Sequence, residues 1–304
     1  MERQYDLVII GAGPAGMSAA VYGSRAGLKT LILENSVPGG KLTKTHKISN
    51  YPGTGELAGA DLAAKMFEQA TMFGAEYGYG NVVKVNKDKI IECEDGTIIE
   101  AKAIIVATGT KERNLNIPGE AENIGKGVSF CAVCDGAFFR NKEVIVIGGG
   151  NSALEESLYL TQFVDKVTIV IRRDVFRAEE NIQEQIKNNP KIEVIVKHIP
   201  KEVLSQDGKV SGIRLENVDT HETQDIACAG IFPYVGQDPM TQALFDLDIT
   251  DENGYVLVDA NMETKVKGIY GAGDVNAKVL RQVVTATSDG AIAAQHAFHE
   301  ITGM

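Results

Sequence analysis

Residues 129–140 read SFCAVCDGAFFR and set Cys131 and Cys134 three positions apart, with Asp135 directly behind them. A CxxC pair can hold half of a zinc site, staple a loop, or carry two electrons as a reversible disulfide. Zinc takes about four ligands, usually as two paired sets. Cys93 and Cys228 stand singly, and none of His46, His198, His221, His296 and His299 lies close to the pair, so no metal is expected. A purely structural disulfide belongs to an oxidising compartment. Redox exchange is the remaining use, and Asp135 is placed either to move a proton to or from a thiol or to cap a turn. Cys93 and Cys228 read as small buried hydrophobes.

A redox pair needs an electron supplier, and the stretch YDLVIIGAGPAGMSAAVYGSRAGLKTLILEN (5–35) describes one. An apolar run feeds Gly11-x-Gly13-x-x-Gly16, then a small-residue helix, a second apolar run and Glu34. Strand, glycine turn, helix, strand and acid in that order form the dinucleotide fingerprint. Gly11 permits the turn, Gly13 lets a pyrophosphate reach backbone, and Gly16 lets helix and sheet pack closely. Pro14 and Ala15 open the helix whose N-terminus faces the phosphates. Glu34 can accept hydrogen bonds from a ribose diol.

The same grammar returns in EVIVIGGGNSALEESLYLTQFVDKVTIVIRRDVFR (143–177), with Gly148-x-Gly150-x-x-Ala153 at the turn and Asn151 and Ser152 opening the helix. Here the second strand ends in Arg172, Arg173 and, four residues on, Arg177 instead of an acid. Guanidinium groups pair with a 2′-phosphate that a carboxylate would repel. Two nucleotides are therefore expected: one with a free ribose at the first site, and NADPH at the second.

Later strands ending in glycine close each unit, AKAIIVATGT (101–110) for the first and AGIFPYVGQDP (229–239) for the second. A third segment, GIYGAGDVNAKVLRQVVTATSDG (268–290), puts Gly271-x-Gly273-Asp274 before a long small-residue helix and is assigned to the first nucleotide. The expected fold class is α/β: two Rossmann-like, three-layer nucleotide-binding domains, the second inserted in the first. Residues 1–113 with 242–304 make the first domain, and residues 114–241 make the second, which carries the CxxC.

The balance of 30 basic against 41 acidic side chains gives a formal charge of −11, which argues against a nucleic-acid backbone as partner. No apolar run approaches the roughly 20 residues that cross a bilayer, and no signal segment precedes the first strand, so a cytoplasmic enzyme with no membrane partner is expected.

In their joint order these motifs resemble the low-molecular-weight thioredoxin reductases, the class II pyridine nucleotide-disulfide oxidoreductases, along essentially the whole chain. The resemblance implies FAD on Gly11, Gly13, Gly16, Glu34, Gly273, Asp274, Arg281, Gln282 and Val283. Further flavin contacts are implied at Gly40, Lys41, Leu42, Asn50, Ala107, Thr108 and Gly109. It also implies a homodimer, oxidised thioredoxin as substrate, Cys134 facing the flavin and Cys131 attacking thioredoxin. Because the CxxC precedes the second glycine turn by a short segment, disulfide and nicotinamide travel on one body. A rotation about hinges near 109–113 and 237–241 is the implied solution. Phe138, Phe139 and Arg140 suggest a thioredoxin-docking surface.

Three residues depart from the family pattern. Ile171 stands where a histidine usually precedes the two arginines, and Lys41 stands where a glutamine follows the two glycines. Pro233 removes a ladder N–H, so its strand is expected to be irregular or at an edge. Ile171 leaves NADH or reduced ferredoxin open as donors, although the intact Gly148, Gly150 and Ala153 turn speaks against ferredoxin. A flavin dithiol oxidase and a non-catalytic redox sensor are the remaining readings of this fold.

Overall fold

The computed structural model describes residues 3–45, 48 and 50–304, and the side chains of Arg3, Val133 and Cys134 lie outside the described set. In chain order the first segment forms β1 (Arg3–Ile10), α1 (Pro14–Arg25), β2 (Thr30–Glu34), α2 (Gly59–Met72), β3 (Glu76–Tyr79), β4 (Val82–Val85), β5 (Ile90–Cys93) and β6 (Ile98–Val106). Leu7, Val8 and Ile9 on β1 are fully buried. A strand apolar on both faces belongs inside a parallel sheet, and β1 pairs in parallel with β2 on one side and β6 on the other. Besides β1, the long β6 serves two partners: its first residues pair antiparallel with β5, and Ile104, Ile105 and Val106 pair in parallel with a strand from the end of the chain.

The chain then crosses through β7 (Thr110–Glu112) into α3 (Glu120–Asn123), α4 (Ala132–Asp135), β8 (Glu143–Ile147), α5 (Asn151–Leu160), β9 (Lys166–Val170), α6 (Glu180–Lys187) and β10 (Ile192–Ile195). An antiparallel meander follows, β11 (His198–Gln206), β12 (Lys209–Asn217) and β13 (Thr223–Ala227), and then β14 (Gly230–Pro233). It returns through β15 (Gln237–Pro239) to β16 (Ile269–Gly271) and α7 (Val283–Thr302).

Two compact units result, Met1–Lys111 with Asp238–Met304, and Glu112–Gln237. The chain re-enters the first unit earlier than residue 242 because Met240 and Thr241 already bond within it. Met240 N donates to Gly109 O (3.0 Å), Thr108 Oγ1 donates to Met240 O (2.6 Å) and Thr241 Oγ1 donates to Gly254 O (3.0 Å). The two crossing strands, β7 and β15, pair with each other.

In the first unit the sheet runs β3-β2-β1-β6-β5-β4, with β16 on β6. Helices α1 and α7 share a seam of small residues, including Ala15, Ala19, Ala286, Ala293 and Ala297, in one buried cluster. The approach is close enough that a Cβ on Gly290 would lie 2.1 Å from the carbonyl oxygen of Ala15.

In the second unit the parallel sheet β10-β9-β8-β14 has two covered faces. Val144, Val146, Val167 and Ile169 pack with Leu154 and Ile182 of the helices, while Ile145, Ile147 and Val170 pack with Val203, Ile213 and Leu215 of the meander. Helices, sheet and meander are the three layers. Pro233 closes β14 at the edge of this sheet, where a missing N–H leaves no ladder bond unmade.

The α1–α7 seam generates a test. Gly290→Ala forces a methyl against backbone, and an overpacked core of this kind loses about 1–3 kcal/mol of unfolding free energy. The expected readout is a lower denaturation midpoint with an unchanged m value; an unmoved midpoint contradicts the close seam.

Candidate active site

At the carboxyl end of β1 the backbone turns through Gly11 at φ +110, and a Cβ there would meet Ala107 O at 2.4 Å. Gly16 on α1 lies so close that its Cβ would be 1.9 Å from Gly11 O. At Gly13, by contrast, nothing lies within 4 Å of the Cβ position, and no side chain caps α1. Pro14 occupies the first turn and no acid is present in it. The helix N-terminus therefore offers backbone N–H groups and positive potential to an open space, a cradle of the shape and sign a pyrophosphate needs.

The other residues expected of this site gather around that turn. Glu34 ends β2; its Oε2 accepts from Ala12 N (2.8 Å) and its Oε1 from Asn35 N (2.9 Å) and Ser36 N (3.0 Å). Gly39 N donates to Ala12 O (2.7 Å), and a Cβ on Gly40 would sit 3.4 Å from Gly13 Cα. This brings the 40–44 turn, with Leu42 buried in it, to the glycines. Lys41 is half-buried, and its Nζ donates to Thr110 Oγ1 at 2.7 Å.

Gly273 packs against α1, its Cβ position 2.9 Å from Ala15 Cβ. Burial pushes the Asp274 carboxyl above its ordinary value, while the charges of Lys41, Arg281 and Lys278 oppose that rise. Arg281 donates to the carbonyls of Asp274 and Asn276 (both 3.2 Å) and lies over the Tyr255 ring at 4.2 Å. Asn50 Nδ2 donates to Gln282 Oε1 (3.1 Å), and Gln282 caps α7, which Val283 opens. Ala107 is buried, and Thr108 and Gly109 lie at the end of β6.

Two supports of this turn escape a motif-based reading. Asp289 on α7 accepts from Gly273 N (2.9 Å) and from Lys278 Nζ (2.5 Å), and so holds the GAGD turn in place. Both groups are buried or nearly so, which makes the pair a charge-assisted clamp. Their spacing within a helix and a loop carries no recognisable signature.

The second cradle repeats the first. Gly148 has φ +141 and its Cβ would lie 2.3 Å from Tyr234 O; Gly150 faces open space, α5 has no side-chain cap, and Ala153 packs beneath. Asn151 is tied to Glu179 by two reciprocal bonds, Nδ2 to Oε1 (3.1 Å) and Glu179 N to Oδ1 (2.9 Å). Ser152 is exposed beside it. Ile171 is buried at 4 % exposure, its Cγ2 3.0 Å from where a Cβ on Gly149 would be. It belongs to the core and contributes nothing to a phosphate site. Arg172, Arg173 and Arg177 are exposed, and Arg177 N donates to Gly149 O at 2.8 Å, which brings the arginines to the glycine turn.

Cys131 is disulfide-bonded and immediately precedes α4; the Cys134 side chain lies outside the described residues. Asp135 N donates to Cys131 O (3.1 Å), closing the turn. Buried Ser129, absent from the sequence reading, donates from Oγ to Asp135 Oδ2 (2.6 Å) and accepts from Cys131 N (3.1 Å). The Tyr234 hydroxyl accepts from Ala132 N (3.2 Å). Phe139 is not part of a docking surface: it is buried and packs edge-on to Phe232 at 5.3 Å. Phe138 and Arg140 remain exposed.

The other two cysteines are free and buried. Burial pushes the Cys93 thiol up, and pushes that of Cys228 to about 12. Neither can supply thiolate near neutral pH. Among the described residues no cluster of His, Cys, Asp and Glu could hold a metal ion, and no helix is long and apolar enough to cross a membrane.

Residues 5–290 match the family model described as pyridine nucleotide-disulphide oxidoreductase. The chain is 46% identical to a thioredoxin reductase of Bacillus subtilis over 99% of its own length and 96% of that protein. Among solved structures, Lactococcus lactis thioredoxin reductase is 48% identical, covers 99% of this chain and 100% of its own, and superposes with a TM-score of 0.95. Thioredoxin reductase of T. acidophilum is 35% identical, with coverage of 98% and 99% and a TM-score of 0.90.

One titration follows from the second unit. Burial, with the Glu155 charge added, raises the Glu156 carboxyl from an ordinary 4.5 to about 7. The folded chain thus holds this proton more tightly than the unfolded chain between those values. Stability is therefore lost as pH climbs from about 4.5 to about 7, by up to about 1.4 kcal/mol per pH unit. Glu156→Gln is expected to melt at a temperature that gains on the original chain between pH 5 and pH 7; parallel melting curves across that range contradict the assignment.

Proposed function

The chain belongs to the pyridine nucleotide-disulphide oxidoreductase family, and we propose that it is a thioredoxin-disulfide reductase that moves two electrons from NADPH to the disulfide of oxidised thioredoxin. Its resident cofactor is FAD and its redox pair is Cys131 with Cys134. The observation that carries the reading is a disulfide at Cys131 on the unit that also holds an open, uncapped glycine turn.

When bound, FAD supplies a two-electron carrier able to accept hydride and to reduce sulfur, chemistry that no side chain offers. Gly11, Gly13 and Gly16 with the α1 N-terminus hold its pyrophosphate, and Glu34 holds its ribose. Asp274, Arg281, Gln282, Asn50 and Lys41 surround the rest. The turn at Gly148, Gly150 and Ala153 takes the nicotinamide nucleotide, with Arg172, Arg173 and Arg177 on the 2′-phosphate.

In the dithiol state the Cys131 thiolate attacks one sulfur of the thioredoxin disulfide. A Cys131–thioredoxin bond forms while the other thioredoxin sulfur leaves as thiolate. The Cys134 thiolate then attacks Cys131, restoring the internal disulfide and releasing the second thioredoxin sulfur. Asp135 delivers the proton that a leaving thiolate takes up, and Ser129 fixes the orientation of its carboxylate through the 2.6 Å bond. The paired crossing strands are the hinge about which the inserted unit turns, so that disulfide and nicotinamide site alternate. A homodimer and a cytoplasmic location accompany this reading.

The donor is tested by anaerobic titration of the holoenzyme with NADPH, NADH and reduced ferredoxin in parallel. NADPH is expected to bleach the flavin. Arg172→Ala is expected to raise the KM for NADPH about tenfold or more, one charge-assisted contact being about 1.5–3 kcal/mol, and to leave NADH unaffected. An equal effect on both nucleotides contradicts a phosphate role. Cys131→Ser is expected to abolish thioredoxin reduction while NADPH still bleaches the flavin; retained thioredoxin turnover overturns the assignment of the redox pair.

A further inference from the structure

Three carboxyl groups lie on α4 and α5, Asp135, Glu155 and Glu156, and the reaction above uses only Asp135. Glu156 lies on α5, the helix against which α4, directly after Cys131, packs. Its Oε2 is fully enclosed and has no hydrogen-bond partner among the described residues. Glu155 and Tyr159 accompany it on its own helix, with Glu179 acting on Glu155. Tyr234 follows β14, and Glu112 acts on Tyr234 from β7. Asp135 ends α4, and Cys131 directly precedes it. Among the described residues the one charged neighbour acting on Glu156 is itself an acid, and none compensates a negative charge there.

Tyr234 connects this carboxyl to the redox turn. Burial and then the Glu156 charge hold its phenol in the protonated form, and its hydroxyl accepts from Ala132 N, the residue directly after Cys131. The phenol is thus bonded to the backbone of the CxxC and feels the charge of the buried carboxylate.

We propose that Glu156 is a positioning residue that holds a proton for the Cys131 disulfide, taking one up from solvent when the disulfide is reduced and returning it when the disulfide re-forms. The inference rests on the redox reading of the pair. Reduction breaks one S–S bond with two electrons from the nicotinamide donor and leaves two sulfur atoms that together accept up to two protons. Any thiolate that remains places negative charge near an uncompensated carboxylate, and like charges raise the energy of the ionised form. Glu156 then binds a third proton that has no counterpart in a disulfide without such a neighbour. Its burial sets the carboxyl at about 7 in the disulfide state, within reach of that exchange.

The test equilibrates the holoenzyme with dithiothreitol redox buffers from pH 6 to pH 9 and measures the reduced fraction by trapping the Cys131 thiol. The expected result is a window beginning near neutral pH in which the equilibrium constant changes tenfold more per pH unit in the original chain than in Glu156→Gln. That is an added slope of about 30 mV per pH unit for a two-electron couple. Glu156→Asp keeps a carboxyl and is expected to retain the window at a displaced pH. Superimposed slopes for the original chain and Glu156→Gln overturn the inference. So does an original chain with no change of slope across the range, which settles the matter even where neither variant folds. A Cys131 thiol that never appears at any buffer ratio overturns the redox reading itself, and is distinguishable because no slope can then be drawn.

Discussion

A Cβ at Gly11 would lie 2.4 Å from the carbonyl oxygen of Ala107, and one at Gly148 would lie 2.3 Å from that of Tyr234. In both units a strand must turn into a helix directly against the end of a neighbouring strand, and only backbone fits through that gap. The turn can therefore be no longer, and the helix begins at the carboxyl edge of the sheet with its first N–H groups unspent. Each cradle follows from this constraint: the open position at Gly13 or Gly150, the absence of a side-chain cap and the absence of an acid in the first turn. In such sheets the crevice outside the strand ends is where nucleotides bind.

The constraint reaches the sulfur chemistry through one residue. Tyr234 presents its carbonyl to Gly148 and its hydroxyl to Ala132 N, so the second glycine turn and α4 share a support. Ser129 makes the matching contact from the other side, joining Asp135 to the amide of Cys131. The short α4 has too few residues to hold its own geometry. These outside contacts, together with packing on α5, hold it where the disulfide and the acid stay in register.

Charge distinguishes the two units. Around the first cradle Asp274, half-buried, is set among Lys41, Arg281 and Lys278, and Asp289 is clamped by Lys278. Negative groups there are compensated. On α5 of the second unit no cation among the described residues acts on Glu156, and burial raises its carboxyl to about 7. Arg172, Arg173 and Arg177 of that unit sit exposed after the end of β9, where an anion from solvent can reach them. Ile171, adjacent to them in sequence, faces the opposite way into the core, since successive residues of an extended chain point to opposite sides.

Much of the fold and of both cradles was legible in the sequence, because each rests on local rules: apolar runs for buried parallel strands, glycines where no Cβ fits, an acid or arginines at the end of the second strand. Pro233 announced an edge for the same kind of reason. That Cys131 belongs to a disulfide was foreshadowed by the CxxC spacing. Ser129, Tyr234, Glu156, Lys278 and Asp289 were not, because their roles depend on contacts across long sequence separations that no spacing records. Phe139 was misassigned to a surface because an aromatic beside an exposed one reads the same whether it packs on Phe232 or faces water. The sequence by itself determined which chemistry the chain can hold. The tertiary structure alone decided which carboxyl groups are compensated and which keep a proton, since desolvation and neighbouring charge are properties of assembled space and not of order along the chain.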